Sequence, residues 1–464
     1  MKSCMFTLAA IVTASLSLSA CGGGNRVSGS PPLTTLNQWA WEDGANVVTQ
    51  PGTYSTSGTP ASTNVPGARS NAVSWTDASG NFWLFGGMGP PSAASDTFFN
   101  DLWEYSSGQW TWMGGSNSSN QAGTYGTPGM AAPGNVPGAR CQAVSWIDQS
   151  GNFWLFGGLG LDSTGTSQLL NDLWKYSAGQ WAWMGGSNFG DQSGAYGTQG
   201  KGAPGNIPGA RSLAVSWTDA SGNFWLFGGL GFDSNGTQSY LNDLWKYSAG
   251  QWTWMGGSDV VNQPGTYGTQ GMAAPGNAPG ARIEAVSWTD PFGNLWLFGG
   301  SPGPTGQFEL FNDLWQYSAG AWTWMAGSNT VDQYGTYGTE GTASSNNAPG
   351  GRVAAATWAD SSGNLWLLGG DGFDSEGSLD YLNDLWKFSA GQWTWMGGSN
   401  LVRQSGTYGT EGTAATVNVQ VRDSARLVGS IGPEISGSSV GMVATQPAQS
   451  VTSTTCGSTS PESS

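Results

Sequence analysis

Residues 224–255 read Phe224-Trp-Leu-Phe-Gly-Gly-Leu-Gly-Phe-Asp-Ser-Asn-Gly-Thr-Gln-Ser-Tyr-Leu-Asn-Asp-Leu-Trp-Lys-Tyr-Ser-Ala-Gly-Gln-Trp-Thr-Trp-Met255. Three short apolar or alternating runs stand between turn residues, the pattern of neighbouring β-strands. Phe224–Phe227 is unbroken and apolar, as a strand buried on both faces would be. Asp243–Tyr247 is the next strand, after a Gly-rich connection from Gly228 to Tyr240. Ser248-Ala-Gly-Gln251 is a tight turn, and Trp252–Met255 alternates large and small. Just upstream, Leu213–Trp217 supplies a fourth strand, joined by the turn Asp219-Ala-Ser-Gly-Asn223.

This unit recurs with a period of 70–71 residues. Asn-Asp-Leu-Trp begins at Asn100, Asn171, Asn242, Asn312 and Asn383. Pro-Gly-(Ala/Gly)-Arg ends at Arg69, Arg140, Arg211, Arg282 and Arg352. Trp-x-Trp begins at Trp39, Trp110, Trp181, Trp252, Trp322 and Trp393. Five full units are therefore present, with one extra Trp-x-Trp at the front. All 27 tryptophans fall into four repeated slots. A residue used once per slot is packing material between repeats.

The pattern resembles the kelch motif: a glycine pair after an apolar strand, Asn-Asp-Leu-Trp-x-Tyr, and a late Trp at fixed spacing. The resemblance covers about residues 39–413. It implies an all-β, kelch-type β-propeller with five complete four-stranded blades plus a partial sixth. Kelch units also build the galactose oxidase fold, whose copper ligands include histidine. This chain has no histidine, so that activity does not carry over. Thr76-Asp77-Ala-Ser-Gly-Asn-Phe-Trp83 approaches the Asp box of sialidase propellers, but its Asp is one place early.

Composition narrows the function further. The net charge is −16. Such a chain repels phosphate backbones, which excludes nucleic acid as the expected partner. The lack of histidine removes His-based triads and His-ligated metals. Of the cysteines, Cys4 lies in the leader, Cys456 in the tail, and Cys141 in a strand slot held elsewhere by Ser70, Ser212, Ile283 and Val353. No disulfide framework is expected. A catalytic site should interrupt the repetition, and the motifs display no interruption within 39–413. No cofactor, metal or catalytic residue is therefore expected.

Residues 1–20 have a positive start and an apolar stretch from Phe6 to Leu18, followed by Leu18-Ser-Ala-Cys21-Gly-Gly-Gly. This resembles the lipobox of bacterial lipoproteins. The resemblance implies acylation of Cys21 and sorting to the outer membrane, periplasmic or surface-exposed, held there through the lipid alone. Residues 21–38 then form a Gly/Ser/Pro-rich tether.

Strand directions alternate within a blade, so the short a–b and c–d turns share one face. The long b–c and d–a connections share the other, where binding is expected. The tyrosines of the d–a loops, Tyr54, Tyr125, Tyr196, Tyr267, Tyr337 and Tyr408, either pack loop on loop or stack on a ligand. Arg69, Arg140, Arg211, Arg282 and Arg352 begin the innermost strands. They either ring the channel mouth and bind an anionic group, or pair with Asp101, Asp172, Asp243, Asp313 and Asp384. Asp162, Asp233 and Asp374 in the b–c loops suggest Asx-turns, or less readily calcium.

The pattern stops in the tail, residues 414–464. Yet Arg422, Ile435–Gly441 and Thr454-Thr-Cys-Gly457 sit one period after Arg352, the blade-5 glycine pair and Asn383. Read one nucleotide out of frame, the last two can encode Leu-Trp-Leu-Phe-Gly-Gly and Asn-Asp-Leu-Trp. The tail thus reads as a frameshifted sixth blade, with Trp39 and Trp41 as its strand d. The expected function is a non-catalytic, monomeric binding scaffold at the cell envelope, with a glycan or an envelope protein as partner. The alternative is a propeller-type carbohydrate-active enzyme.

Overall fold

The computed structural model describes residues 10–15, 40–43, 49–90, 96–303, 309–404 and 439–444. Cys21, the tether, Trp39, Tyr408, Arg422 and most of the tail lie outside the described residues.

Five antiparallel sheets follow one another along the chain and form the blades of a β-propeller. Blade 1 comprises Val73–Thr76, Phe82–Met88, Phe98–Ser106 and Gln109–Gly114 as strands a to d. In blade 2 strand a is split into Arg140–Cys141 and Val144–Ile147, followed by Phe153–Leu161, Ser167–Ser177 and Gln180–Gly185. Blade 3 has Arg211–Ser212, Val215–Thr218, Phe224–Phe232, Gln238–Ser248 and Gln251–Gly256. Blade 4 has Arg282–Ile283, Val286–Thr289, Leu295–Phe298, Ser301–Pro302, Leu314–Ser318 and Ala321–Ala326. Blade 5 has Arg352–Val353, Ala356–Ala359, Leu365–Phe373, Leu379–Ser389 and Gln392–Gly397.

Strand b is longer than its apolar run suggests. In blade 3 it continues through the glycine pair to Phe232, and strand c starts at Gln238. The pair is a bulge inside the strand, not the start of a loop. Gly228 and Gly229 have φ of 64° and 97°. A Cβ on Gly229 would lie 2.6 Å from the Ser212 carbonyl oxygen. Handedness and close approach both demand glycine there.

The core lies between blades. Val144, Trp146, Phe156 and Leu173 of blade 2 pack against Phe224, Leu226, Trp245 and Trp252 of blade 3. Equivalent layers join blades 1 and 2, 3 and 4, and 4 and 5. The Asn-Asp-Leu-Trp tryptophans, Trp103, Trp174, Trp245, Trp315 and Trp386, are fully buried. Burying each large apolar side chain contributes about 1.5–3 kcal/mol. Polar contacts fix the spacing: Trp217 donates its indole N–H to the Trp296 carbonyl in the next blade at 2.9 Å. Among the described residues, no hydrogen bond or apolar cluster joins blade 5 to blade 1.

The a–b turns on the plain face are closed by their aspartates. Asp219 accepts from the backbone N–H groups of Ser221 and Asn223, and from the Trp225 indole at 2.8 Å. A separate small sheet pairs Ala10–Ser15 with both Ala40–Asp43 and Ser439–Ala444. The strand that holds Trp41 therefore partners Ala10–Ser15 here, rather than a strand c.

Candidate ligand face

Each repeated arginine reaches across the bulge to the aspartate of its own blade. In blade 3, Arg211 Nη1 donates to Asp243 Oδ1 at 2.6 Å and Nη2 donates to Asp243 Oδ2 at 2.7 Å. Nη1 also donates to the Gly228 carbonyl and Nε to the Gly209 carbonyl, both at 3.0 Å. Asp243 Oδ2 also accepts from Tyr196 Oη and Trp245 Nε1, both at 2.7 Å. Blades 1, 2, 4 and 5 repeat the arrangement with Arg69–Asp101–Tyr54, Arg140–Asp172–Tyr125, Arg282–Asp313–Tyr267 and Arg352–Asp384–Tyr337. The arginine side chains are at most 1% exposed. Burial, then the adjoining carboxylate, pushes the pKa of Tyr125, Tyr196 and Tyr337 well above the usual phenol value.

These clusters correct the expectation of a cationic ring. Arg69, Arg140, Arg211, Arg282 and Arg352 are sealed inside the blades as ion pairs, where a ligand arriving from solvent finds no free donor. Tyr125, Tyr196 and Tyr267 likewise hold their loops onto the following blade instead of offering a stacking surface.

The d–a loops also brace one blade on the next. Each runs outward and docks on strand d of the next blade, the outermost strand. Gly129 N–H donates to the Trp183 carbonyl at 2.6 Å, and Gly200, Gly271 and Gly341 repeat the contact with Trp254, Trp324 and Trp395. Asn135 Nδ2 donates to the Trp181 carbonyl from within the same loop. A bare strand d would expose a row of unpaired backbone groups, and the loop covers part of it.

The b–c connections do rise on that face. In blades 2, 3 and 5 they are hairpins closed by Asx-turns. Asp233 Oδ1 accepts from the N–H groups of Asn235 and Thr237, and Oδ2 accepts from Val261 N–H of the adjoining loop at 3.3 Å. Asp162 and Asp374 do the same. Their oxygens are taken by backbone donors, which is the Asx-turn reading and not the calcium one. Among the described residues, no group of three or more His, Cys, Asp or Glu side chains is placed to hold a metal.

The innermost strand is interrupted in every blade by one residue in the left-handed region: Asn71, Gln142, Leu213, Glu284 and Ala354, with φ between 53° and 57°. Backbone hydrogen bonds link them in series around the axis, from Gln142 N–H to Asn71 O through to Ala354 N–H to Glu284 O. Their chemistry differs from blade to blade, unlike that of the packing slots. The same holds one residue past the glycine pair, where Met88, Leu159, Leu230 and Ser301 give way to Asp371.

Glu284 and Asp371 fall in neighbouring blades. Asp371 is partly buried, and its pKa is raised to about 6, first by burial and then by Asp380 and Glu284. Tyr240 of blade 3 is raised by burial and by Glu284. Arg403, largely exposed, pairs with Asp380 at 2.5 Å. The sequence motifs conceal this sector because neither residue lies in a recognisable motif. Only alignment of the five units position by position would have found it. Of the carboxyl groups gathered here, Asp371 holds its proton to higher pH than an ordinary aspartate.

No protein-family profile matches the chain, and no curated protein matches it. Among solved structures it is similar to YjhT, at 13% identity and a TM-score of 0.45, over 78% of this chain and 89% of that one. A fungal alcohol oxidase of the AA5 family, solved with copper, matches at 13% identity and a TM-score of 0.38, over 71% of this chain and 65% of that one. A protein of unknown function from Dyadobacter fermentans matches at 9% identity and a TM-score of 0.40, over 73% and 84%.

Proposed function

We propose that this chain is a non-catalytic binding scaffold of the bacterial cell envelope, tethered through a lipid on Cys21, that takes a glycan above blades 4 and 5. The observation that carries the reading is that Glu284 and Asp371 place carboxyl groups, in neighbouring blades, at two slots whose chemistry varies around the axis. Elsewhere the blades repeat the same ion pair, the same buried tryptophan and the same turn. Such a frame builds a rigid support and leaves recognition to positions that vary. Carboxyl groups beside Tyr240 and Tyr381 suit a sugar, whose hydroxyls donate to carboxylates and whose ring faces pack on aromatic side chains. A protein carrying a net charge of −16 discourages anionic polymers.

The experiment is a glycan screen with the purified chain, repeated with Glu284→Gln and Asp371→Leu. Leucine is the residue that blades 2 and 3 carry at that place. Loss of a glycan hit in both variants, with unchanged melting, supports the reading. Hits that survive both variants contradict the placement. Capture of an envelope protein without glycan contradicts the ligand class. A carboxyl whose pKa is raised to about 6, beside two others, also suits general acid catalysis. Turnover of a glycan abolished by Asp371→Leu would replace the scaffold reading with the carbohydrate-active enzyme.

A further inference from the structure

Between blades 5 and 1 the propeller presents two faces that are covered elsewhere. The strand-a tryptophans Trp75, Trp146, Trp217 and Trp288 are 3–6% exposed, each packed on the following blade. Trp358, in the same slot of blade 5, is part-exposed. On the other side, Phe82 of blade 1 is part-exposed, whereas Phe153, Phe224, Leu295 and Leu365 in its slot are buried. The connections to a missing neighbour are already in place. The loop before blade 1 docks like the other loops, with Tyr54 on Asp101 at 2.7 Å and Gly58 N–H on the Trp112 carbonyl. Trp39 precedes Arg69 by the same interval as Trp110 precedes Arg140. Beyond blade 5, Val402 caps Asp374 as Val261 caps Asp233, so the chain leaves that blade as it leaves one that has a successor.

We infer that this sector is the seat of a sixth blade, whose strand d is the Trp39-Ala-Trp41 segment; Ala40–Asp43 pairs with Ala10–Ser15 in the chain as written and is released to a strand c once that blade is encoded. Its strands a to c are encoded by the codons of residues 420–457, read in the frame that one additional base before the Gln420 codon restores. The occupant can be read from the written residues. Each shifted codon takes its second and third bases from the first two bases of a written codon, which the residue fixes except for Ser, Arg and Leu. Only its first base, at the degenerate position, is otherwise open. Asn418-Val419 still occupies the slot of Asn64-Val65 and Asn135-Val136.

With one C added, the residues from Gln420 onward can be read as Pro-Gly-Ala-Arg-Leu-Gly-Ala-Val-Ser-Trp-Ile-Asp-Arg-Ser-Gly-Asn-Leu-Trp-Leu-Phe-Gly-Gly-Asp-Gly. The reading continues through an Asp-Ser-x-Gly turn to Tyr-Leu-Asn-Asp-Leu-Trp at Thr454–Gly457. The arginine then stands at the written position 423, at the same interval from Trp393 as Arg69 from Trp39. Motif after motif of Pro349–Trp386 returns in order. The Asp-Gly after the glycine pair repeats Asp371-Gly372, and its glycine codon is fixed by Met442, which has a single codon. A blade built from both ends of the chain closes the ring as a clasp and removes both open faces.

The test is the nucleotide sequence over codons 418–457 in source DNA. It is followed by expression of the full chain as written and with one base added before codon 420. The inference expects the shifted frame to spell these motifs. It also expects the restored protein to melt higher and to exchange backbone hydrogens at Ala356–Ala359 and Phe82–Met88 more slowly, on the order of tenfold. Codons that do not spell the repeat in the shifted frame overturn the inference. If they spell it, yet both proteins show the same melting and exchange, closure of the ring by this segment is overturned.

Discussion

Arg211 and Asp243 meet through two parallel hydrogen bonds of 2.6 and 2.7 Å inside blade 3, with neither side chain more than 1% exposed. The pair ties the start of strand a to strand c across the glycine bulge, and Tyr196 adds the incoming loop. One carboxylate thus fastens three separate segments, and the same knot is tied in every blade.

Breaking the pair should be costly. Arg211→Ala leaves Asp243 buried without its cation, and truncating one partner of a buried pair typically costs about 3–5 kcal/mol. Arg211→Lys should recover little of this, because an ammonium cannot make the two parallel bonds. Urea melts of the two variants read the difference. Stability within about 1 kcal/mol of the parent would mean the arginine is not structural.

Tyr196→Phe removes one donor and leaves Asp243 with Arg211 and Trp245. A hydrogen bond to a charged group contributes about 1.5–3 kcal/mol. The loss should fall near that range and appear as local opening of residues 194–209, which hydrogen exchange resolves.

Gly229→Ala should destabilise more than an ordinary surface change. The residue has φ of 97°, and a Cβ would press on the Ser212 carbonyl oxygen at 2.6 Å. Backbone strain of this kind costs about 1–3 kcal/mol before the clash is counted. Gly250→Ala is the comparison. Its φ is also positive, at 77°, but a Cβ there meets nothing within 4 Å. A smaller loss is expected, and equal losses would show that the close approach is unimportant.

Asp371 gives a pH dependence with a definite sign. Its folded pKa, about 6, lies above the ordinary value of 3.8. The native state therefore holds more protons than the unfolded state between those values. This contribution to stability is fully present below pH 3.8 and is lost as pH rises through 6. Asp371→Leu should remove that slope, as denaturant melts from pH 4 to 7 would show. An identical slope in the variant would assign it to other carboxyls.

The fold was largely legible because the packing slots repeat. Trp245 and its four counterparts occupy one slot, and five copies of Asn-Asp-Leu-Trp fix strand c. Strand lengths were not, since the glycine pair looks like the beginning of a loop when it is a bulge within a strand. The arginines posed two readings, and spacing alone could not choose between them. The choice depends on whether Arg211 points to the channel or across the bulge to Asp243, which is a matter of register. Long d–a loops suggest a binding face, and the sequence does not disclose that part of each loop is spent on the edge of strand d. The sector at Glu284 and Asp371 escaped notice because single substitutions in a strand carry no motif.

The most direct test of the functional account is calorimetric titration of the purified chain with the strongest hit from the glycan screen, beside Glu284→Gln and Asp371→Leu. The account predicts saturable binding, weakened at least tenfold by each variant, with no release of product. Undiminished binding by both variants would contradict it.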